Sequence, residues 1–360
     1  MEALTLKDLA QLAGVHASTV ARVLNGDPQQ RVRPEVRDRI VSLARTHGYQ
    51  PNGVARALRL KRSRVIGTMI PDISNPFFAA MFRGIEDTLA QQDFSVILAN
   101  TDDDPRREQR GMTMLRERQV DGLILATARR DDPAIAGLAA DRYPYVLVNR
   151  HTDPLEANVV VPDDYNGAAS AVDHLVALGH RRIAHIAGAA EVSTGNNRRR
   201  GYADALARHG LPVDPALIVD GTFREAGGYA AMGTLLTRRP LPTAVFAVND
   251  LAAMGALRAT RQAGLDVPRD ISIIGFNDLP VVAQMSPALT TLHVPLHAMG
   301  VAAAARLLAR LTGTEQPDQP VVMPVELICR ESTGPVAARQ ELAGCGRPPR
   351  TGAGEHREGG

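Results

Sequence analysis

The sequence predicts an α/β protein with an N-terminal three-helix head, a hinge segment and two doubly wound parallel-sheet lobes. Two short amphipathic stretches flank a glycine near the start of the chain, and from Val65 onward short apolar runs alternate with helical stripes. The length of 360 residues, with 44% hydrophobic and 22% charged content, also exceeds one ordinary globular domain.

Residues 5–24 have the pattern of a helix-turn-helix. Thr5 is placed to cap a helix, and Gly14 suits the left-handed turn that ends it. A second helix follows at once, and Pro34 and Gly48 are placed to start and stop a third. The apolar positions repeat at helical spacing and are Leu6, Leu9, Ala10 and Ala13, then Val20, Val23 and Leu24, then Val36, Ile40, Leu43 and Ala44. Three short helices with a glycine turn between the first two predict a helix-turn-helix head.

The head is basic although the whole chain is nearly neutral. Residues 1–64 hold twelve Lys and Arg against five Asp and Glu, whereas the full chain has a net charge of +2. Ala17, Ser18 and Ala21 on the polar side of the second helix would allow close approach to base edges. Arg22 on the same side suits guanine. These features favour double-stranded DNA as a partner; the alternatives are a solvated basic face and a helical hairpin that docks on another protein.

Residues 51–63 predict a hinge that becomes ordered only on DNA. Val54, Ala55 and Leu58 lie at helical spacing after Pro51, but the segment is too short for a stable isolated helix. Leu58 lies among basic residues, which suits a wedge that enters the minor groove and opens a base step. The alternative is a mobile basic linker with an incidental leucine.

The remaining chain predicts two lobes, each with a parallel sheet covered by helices. The apolar runs are VIGTMI, SVILAN, VDGLILAT, YVLVN, IAHIAG, LIVDG, AVFAV and ISIIGF, and helical stripes separate them. Roughly 270 residues of this pattern exceed one comfortable core. In such sheets ligands bind beyond the carboxyl ends of the strands, so we expect a binding site there.

Several function classes lack their sequence signals. No HExxH, GxSxG or Walker motif is present, so we expect neither an enzyme nor a cofactor. The three adjacent carboxylates at 102–104 could hold a metal ion but fit a helix cap better, and the ten histidines show no ligand spacing. No segment resembles a membrane span or signal peptide, and the only cysteines are Cys329 and Cys345. We therefore expect a cytoplasmic protein without disulfides, bound metal or membrane contact.

A series of motifs runs in unbroken order along residues 4–334: TLKDLAQLAGVHASTVARVLNG, GYQPN, ARALR, IGTMIPDISNPFF, DGLILA, LGHRRIAHIAG, AVFAVND, ISIIGFND, LTTLHVP and RESTGP. Together they resemble the lac repressor (LacI/GalR) family of bacterial transcription regulators. The resemblance implies a periplasmic-binding-protein-like body, with three chain crossings between the lobes and a small-molecule effector in the cleft. The implied segments are a head (1–50), a hinge (51–63), a body (64–334) and a disordered tail (335–360). The N-lobe then takes about 64–162 and 293–323, and the C-lobe about 163–292 and 324–334.

The resemblance also assigns site residues. Those implied at DNA are Thr5, Leu6, His16, Ala17, Ser18, Thr19, Arg22, Asn25, Asn52, Ala55, Leu58 and Arg59. Those implied at the effector are Asp72, Ser74, Phe77, Asn149, Arg198, Phe223, Asn249, Asn277 and Leu296. The alternatives are a plain core role for Phe223 and helix capping by Asp72, Asn75, Asp250 and Asp278.

Five positions depart from the family pattern. His16 and Ala21 stand where serines are usual in the recognition helix, and Arg33 replaces a serine cap of the third helix. Asn149 and Asn277 stand where aspartate is common. A neutral amide is a weaker acceptor for paired sugar hydroxyls than a carboxylate.

The expected function is repression of transcription by a homodimer on a palindromic operator, controlled by a sugar or a related polyhydroxylated effector. The tail has no leucine heptad, so nothing in it indicates assembly beyond a dimer. The alternatives are a solute-binding receptor without DNA function and a regulator that responds to a purine or nucleoside.

Overall fold

The computed structural model describes residues 4–24, 32–49, 62–314 and 319–336. Most of the expected hinge and tail therefore lie outside the described residues. The implied DNA contacts Asn25, Asn52, Ala55, Leu58 and Arg59 lie outside them as well. Within the described ranges, no helix combines the length and apolar character that crossing a membrane requires.

The head consists of three helices around a small core of its own. They are α1 (Leu6–Ala13), α2 (Ala17–Leu24) and α3 (Pro34–Thr46). Thr5 caps α1, and Gly14 ends it at a φ of 62°, as the sequence predicts. Leu9, Val20 and Ile40, one from each helix, are fully buried. The glycine turn and the shared core form the predicted helix-turn-helix.

The chain divides into two compact units and passes between them three times. The first unit comprises Met1–Pro162 with Pro295–Met323, and the second comprises Asp163–Val294 with Pro324–Gly360. His293 and Val294 group with the second unit, whereas the expected boundary placed them in the first lobe. His293 belongs there because it ends a strand that pairs with another strand of the second unit.

The first unit contains a six-stranded parallel sheet in the order β11-β5-β4-β3-β1-β2. Its strands are β1 (Val65–Ile70), β2 (Ser95–Asn100), β3 (Gly122–Leu125), β4 (Tyr145–Val148), β5 (Val159–Pro162) and β11 (Val321–Met323). Its helices are α4 (Pro76–Ala90), α5 (Pro105–Glu117), α6 (Pro133–Ala140) and α11 (Leu296–Thr312). The strand order reverses between β1 and β3, which is where an open parallel sheet forms a ligand crevice.

The second unit contains a four-stranded parallel sheet in the order β7-β6-β8-β9 and an antiparallel pair, β10-β12. The strands are β6 (Ile183–Ala187), β7 (Ile218–Asp220), β8 (Ala244–Ala247), β9 (Ser272–Ile274), β10 (Thr291–His293) and β12 (Glu326–Ile328). The helices are α7 (Asp164–Ala177), α8 (Ser193–Arg208), α9 (Glu225–Leu236) and α10 (Asp250–Gln262), with 3-10 turns at Pro215–Leu217 and Pro280–Gln284. The predicted doubly wound parallel-sheet fold is confirmed in both units.

The apolar runs of the sequence predict eight strands correctly and miss four. The runs contain β1 to β4 and β6 to β9. Strand β5 was not predicted, and neither were β10, β11 and β12, which have three residues each. Strands β7 and β9 are equally short, but each lies within a longer apolar run of the sequence. Strands β10 and β12 mix polar and apolar residues, so only pairing with a partner defines them.

Helices α4 and α11 approach each other at backbone distance. A Cβ on Gly84 would lie 2.1 Å from the carbonyl oxygen of His297, and one on Gly300 would lie 2.0 Å from the carbonyl oxygen of Met81. Only a residue without a side chain fits such contacts. Gly84 and Gly300 therefore allow α11, in the segment that returns to the first unit after residue 294, to pack closely against α4.

Candidate functional site

Helix α2 presents a small surface of residues that the sequence assigns to DNA contact. Arg22 is exposed, and Ala17, Ser18 and Thr19 are partly exposed. Ala21 was expected on the same surface but is only 8% exposed. It lies one helical turn after Ala17, which packs against the core of the head. The prediction that Ala21 belongs to the close-approach surface is therefore wrong, and the surface is narrower than predicted.

His16 replaces the usual serine before α2 and takes over its capping role. The imidazole Nδ1 accepts a hydrogen bond from the Ser18 amide at 3.3 Å and lies 2.8 Å from the Ser18 hydroxyl. The first amides of a helix lack partners within the helix and need such an acceptor. Arg33, the other replaced cap, makes no side-chain hydrogen bond at the start of α3.

Thr5 and Leu6, which the sequence also assigns to DNA, have contacts within the head. The Thr5 hydroxyl donates to the Asp8 carboxylate at 2.6 Å, and the Asp8 amide donates to the Thr5 hydroxyl at 3.3 Å. Side-chain and backbone hydrogen bonds from Thr5 lower the pKa of Asp8. Leu6 packs against the core of the head. DNA contact by Thr5 or Leu6 stays a prediction.

In the first unit, the loop after β1 brings Asp72 and Ser74 to the carboxyl edge of the sheet. Asp72 Oδ1 accepts hydrogen bonds from the Ser74 amide at 3.0 Å and from its hydroxyl at 2.6 Å, which closes a local turn. Asn75 caps α4 by accepting from the Phe77 amide at 3.1 Å. The Phe77 ring is buried, with its centroid 5.0 Å from that of Phe78. Asn75 thus follows the capping alternative, whereas Asp72 shapes the loop before the helix.

Asn149 follows β4 at the same edge and carries a buried oxygen without a donor. The residue has a φ of 66° and is 5% exposed. Its backbone amide donates to the Val160 carbonyl at 2.9 Å, but its Oδ1 has no partner among the described residues. An unsatisfied buried acceptor costs about 1–3 kcal/mol. Leu296, expected as an apolar wall, is buried at the start of α11.

A cluster of polar side chains that no sequence signal marks lies at this edge, and its members are buried except for Asp103. Thr127, after β3, donates to the carboxylate of Glu108 on α5. Burial raises the pKa of Glu108 to about 7. Arg150, after β4, pairs with Asp103, after β2, at 2.6 Å. No sequence signal marks the cluster, because its members come from three separate strand ends and a helix.

The acidic run 102–104 belongs to the start of a helix. Asp104 caps α5 by accepting from the Arg106 amide at 2.8 Å. Asp102 and Asp103 each pair with an arginine. Within the part of the chain that is described, no three His, Cys, Asp or Glu side chains are grouped as a metal site requires. The run therefore fits capping and ion pairing.

In the second unit, Arg198 of α8 is buried and held by three neighbours. Its Nε donates to Asp164 Oδ1 at 2.8 Å, and its Nη1 donates to the Val248 carbonyl at 2.6 Å. The guanidinium carbon lies 3.7 Å from the centroid of the Phe276 ring. The side chains of Arg198 and Asp164 are each 3% exposed, so the ion pair is desolvated and fixed. No sequence signal marks Asp164 or Phe276 as partners of this arginine.

Phe223 and Asn249 meet at the carboxyl edge of the second sheet. Asn249 Nδ2 donates to the Phe223 carbonyl at 2.9 Å, and its Oδ1 caps α10 by accepting from the Ala252 amide at 2.8 Å. Both polar side-chain atoms of Asn249 therefore link the loop that contains Phe223 to the start of α10. The Phe223 ring is partly exposed and lies against Gly188, where a Cβ would come within 2.5 Å of it. Phe223 is therefore only partly buried, unlike a plain core residue.

Asn277 follows β9 and repeats the arrangement of Asn149. It has a φ of 125° and is 4% exposed, and its Oδ1 has no partner among the described residues. Its backbone amide donates to the Leu292 carbonyl at 2.7 Å. Each unit therefore carries one asparagine from the expected effector set with a buried acceptor that lacks a donor.

Asp250 and Asp278 connect loops instead of capping helices. Asp250 accepts from the Thr291 hydroxyl at 2.5 Å and from a backbone amide at 2.7 Å. Burial raises the pKa of Asp250 to about 6. Asp278 accepts from Arg330 at 2.6 Å and lies 3.0 Å from His293 Nδ1. Both carboxylates brace the edge that carries Asn249 and Asn277.

Comparisons with known proteins match both parts of this arrangement. Residues 5–52 match the family model for bacterial regulatory proteins of the lacI family, and residues 172–333 match a periplasmic binding protein-like domain. The HTH-type transcriptional regulator DegA of Bacillus subtilis is 34% identical to this chain over 335 residues. The match covers 92% of this chain and 98% of DegA.

Solved structures with a similar fold include complexes with DNA and with a sugar. A lac repressor dimer bound to operator and the anti-inducer ONPF has a TM-score of 0.85 at 28% identity, covering 92% of this chain and all of that one. The transcriptional regulator CelR in complex with cellobiose has a TM-score of 0.70 at 33% identity, covering 91% of this chain and 99% of CelR.

Proposed function

Because the chain belongs to the lacI family of bacterial regulatory proteins, we propose that it represses transcription as a homodimer on a palindromic operator and responds to an uncharged polyhydroxylated effector. Its relatives are DNA-binding transcription regulators and not enzymes. A regulator of chromosomal genes works where the chromosome is, so we propose the cytoplasm as its compartment.

The surface of α2 supports operator binding. Arg22 is exposed beside the partly exposed Ala17 and Ser18. A guanidinium can donate to guanine O6 and N7 together, and small neighbours allow the helix to come close enough. Two heads related by twofold symmetry would place two such helices in successive major grooves, which requires a palindromic site. The similar lac repressor structure is a dimer on its operator.

The observation that carries the effector proposal is the pair of buried oxygens on Asn149 and Asn277. Each is an acceptor without a donor at the carboxyl end of a parallel strand, where such sheets bind ligands. Hydroxyl groups supply the missing donors. Both amides are neutral, Arg198 is paired with Asp164, and Asp72 adds a carboxylate acceptor, so these residues favour an uncharged ligand over an anionic one. The related CelR binds cellobiose, a neutral sugar.

Phe223 supports a second candidate ligand class. Its ring is partly exposed beside Asn249 at the same edge of the second unit. An aromatic face stacks on the apolar face of a sugar and also on a nucleobase. An uncharged nucleoside is therefore the alternative effector, and the experiment below separates the two.

The effector proposal is tested by thermal unfolding of the full-length protein with neutral sugars, polyols, nucleosides and their phosphorylated forms. A ligand that binds the native state raises Tm. We expect a neutral polyhydroxylated compound to raise it and Asn277→Gly to abolish that shift. Glycine suits the φ of 125° at this position, so the variant should keep or raise the Tm of the free protein.

Gln119→Gly is the matched control for this variant. Gln119 also has a positive φ, 55°, but it is exposed and lies outside the effector set. The control should keep the full ligand-induced shift. A shift that survives in Asn277→Gly, or one produced only by phosphorylated ligands, would contradict the effector proposal. Binding that favours no genomic fragment over random competitor DNA, with or without ligand, would contradict the operator proposal.

A further inference from the structure

The three residues that lead into the first sheet are attached to that unit at several points. Arg62, Ser63 and Arg64 directly precede β1 and follow the end of the DNA-binding part of the chain. Neighbours from three other segments of the first unit hold them. Asp121 accepts the largest set of these hydrogen bonds.

Asp121 holds Ser63 and Arg64 with both of its carboxylate oxygens. Oδ1 accepts from the Ser63 amide at 2.7 Å and from the Ser63 hydroxyl at 2.9 Å, and Oδ2 accepts from the Arg64 amide at 3.0 Å. Asp121 lies directly before β3, and its own amide donates to the Val65 carbonyl at 2.8 Å. Hydrogen bonds to an ionised acceptor are about twice as strong as neutral ones. The carboxylate therefore fixes the entering chain at the start of the neighbouring strands β1 and β3.

Arg64 adds a second attachment and a strained backbone. Its φ is 56°, in the left-handed region that costs a residue with a side chain roughly 1–2 kcal/mol. Its Nη1 lies 3.2 Å from Asp93 Oδ2 and 3.3 Å from the Gln92 carbonyl, while its own carbonyl accepts from the Ser95 amide at 2.8 Å. A strained conformation persists only where several contacts impose it. The entry of the chain thus has a defined direction.

Arg62 makes the third attachment. Its Nη2 donates to the carbonyl oxygen of Leu311, in the last turn of α11, at 2.9 Å. A cation is favoured at the C-terminal end of a helix, where carbonyl groups lack partners. Through Arg62 the entering chain is also attached to the helix that returns to the first unit after residue 294.

We propose that Asp121 is a positioning residue that fixes the exit of the DNA-binding segment, so that a change in the first unit alters operator affinity. The proposal rests on the proposed function. A head on a loose tether would adopt its orientation independently of the body, and effector binding would then leave operator affinity unchanged. Asp121 removes this freedom at the point where the tether meets the sheet.

The first test measures the attachment itself. Trypsin cleaves after arginine, and the contacts to Asp121 should protect the bonds that follow Arg62 and Arg64. In Asp121→Ala we expect cleavage at these two bonds, identified by mass spectrometry, to become roughly tenfold faster or more, because three hydrogen bonds to a carboxylate are lost. Ser63→Ala removes the hydroxyl, which donates to Asp121 and accepts from the Val65 amide, but keeps the two backbone amide bonds to Asp121. It should give an intermediate rate.

The second test measures coupling between effector and operator. Effector-induced changes in operator affinity are typically about 5–150-fold. In Asp121→Ala this factor should approach 1, while the ligand-induced rise in Tm stays as in the wild type. Asp141→Asn is the matched control, because Asp141 also lies before a strand of this sheet, and its half-exposed carboxylate pairs with Arg116 at 2.7 Å. It should keep both the coupling and the trypsin pattern.

The outcomes separate this proposal from the proposed function. If Asp121→Ala keeps the wild-type coupling and trypsin protection, the positioning role is wrong. If Asp121→Ala loses ligand-induced stabilisation, trypsin protection and effector–operator coupling are measured on Ser63→Ala instead. Wild-type protection and wild-type coupling in Ser63→Ala would also overturn the proposal. If the wild-type protein itself binds no operator, the proposed function fails, whereas the trypsin comparison still reports on Asp121.

Discussion

Asn149 and Asn277 show how one residue type can meet two requirements. Both have a positive φ, which asparagine adopts more easily than most residues with a side chain. The backbone alone would be served better by glycine. The backbone conformation does not account for the buried Oδ1 of each residue, which has no hydrogen-bond donor among the described residues. A hydroxyl group of a bound ligand would supply that donor.

At the residue scale, Arg22→Ala should weaken operator binding by about 1–3 kcal/mol and relax the preference at one base pair. The reason is that Arg22 is exposed on the side of α2 that we propose faces the bases. Fluorescence anisotropy with a set of singly substituted operators measures both effects. Arg45→Ala, which removes an exposed arginine from the last turn of α3, should leave base preference unchanged. Equal weakening on all sequences by Arg22→Ala would refute the base-reading role.

Glu108→Gln should make stability less dependent on pH. Burial raises the pKa of Glu108 from 4.5 to about 7, so the folded protein keeps a proton that the unfolded chain releases. The wild type therefore loses up to about 3 kcal/mol of its unfolding free energy as pH rises from 4.5 to 7. The glutamine variant has no such loss, so its stability relative to the wild type should increase over this range.

Urea unfolding at pH 5 and pH 7 measures the difference. Glu117→Gln, on the exposed side of the same helix, is the control and should follow the wild type at both pH values. A stability difference between Glu108→Gln and the wild type that is identical at both pH values would show that Glu108 ionises in the folded protein as it does in the unfolded chain.

At the scale of elements, α11 has two roles in the first unit. It packs against α4 through Gly84 and Gly300, and its last turn accepts a hydrogen bond from Arg62. The other elements of the first unit, except β11, lie before residue 163, whereas α11 begins at Leu296. The packing of α11 therefore completes the first unit after the chain has passed through the second unit. The glycine contact therefore contributes to the stability of the first unit.

Gly84→Ala should destabilise the protein by about 1–3 kcal/mol or more, because the new methyl group meets a backbone carbonyl of α11 that cannot rotate away. Gly137→Ala is the matched control, since nothing lies within 4 Å of its added Cβ in helix α6. Alanine there should stabilise the helix by about 0.5–1 kcal/mol. Urea unfolding compares the two. Equal effects of the two substitutions would show that the close approach of α4 and α11 is not required.

At the scale of the whole molecule, the residues proposed to bind DNA and those proposed to bind the effector differ in charge. Twelve of the 41 basic residues lie within residues 1–64, against five of the 39 acidic ones. The expected effector residues, in contrast, combine neutral asparagines with a paired arginine and one carboxylate, Asp72. The two kinds of binding should therefore respond differently to salt.

Operator affinity should fall steeply with salt, whereas effector affinity should change little. A protein that makes six or more phosphate contacts loses about a thousandfold in affinity between 50 and 200 mM salt, because counterions are released on binding. Anisotropy titrations with operator and thermal-shift titrations with the effector, at the same salt concentrations, measure the two slopes. A steep salt dependence of effector binding would indicate a charged ligand and oppose the proposal of an uncharged one.

The sequence by itself determined the fold class, the helix-turn-helix, eight of the strands and the family. These follow from signals that neighbouring residues carry together: the Gly14 turn, the helical stripes and runs such as VIGTMI and AVFAV. Periodicity and turn chemistry act within one or two turns of chain, so the sequence shows them directly.

Only the tertiary structure decided which polar atoms are satisfied. It buried Ala21, paired Arg198 with Asp164, placed Glu108 beside Thr127 and left Oδ1 of Asn149 and Asn277 without donors. The partners of Arg198 lie 34 and 50 residues away along the chain. Hydrogen bonding and desolvation depend on neighbours in space, which the order of residues does not reveal until the strands are paired.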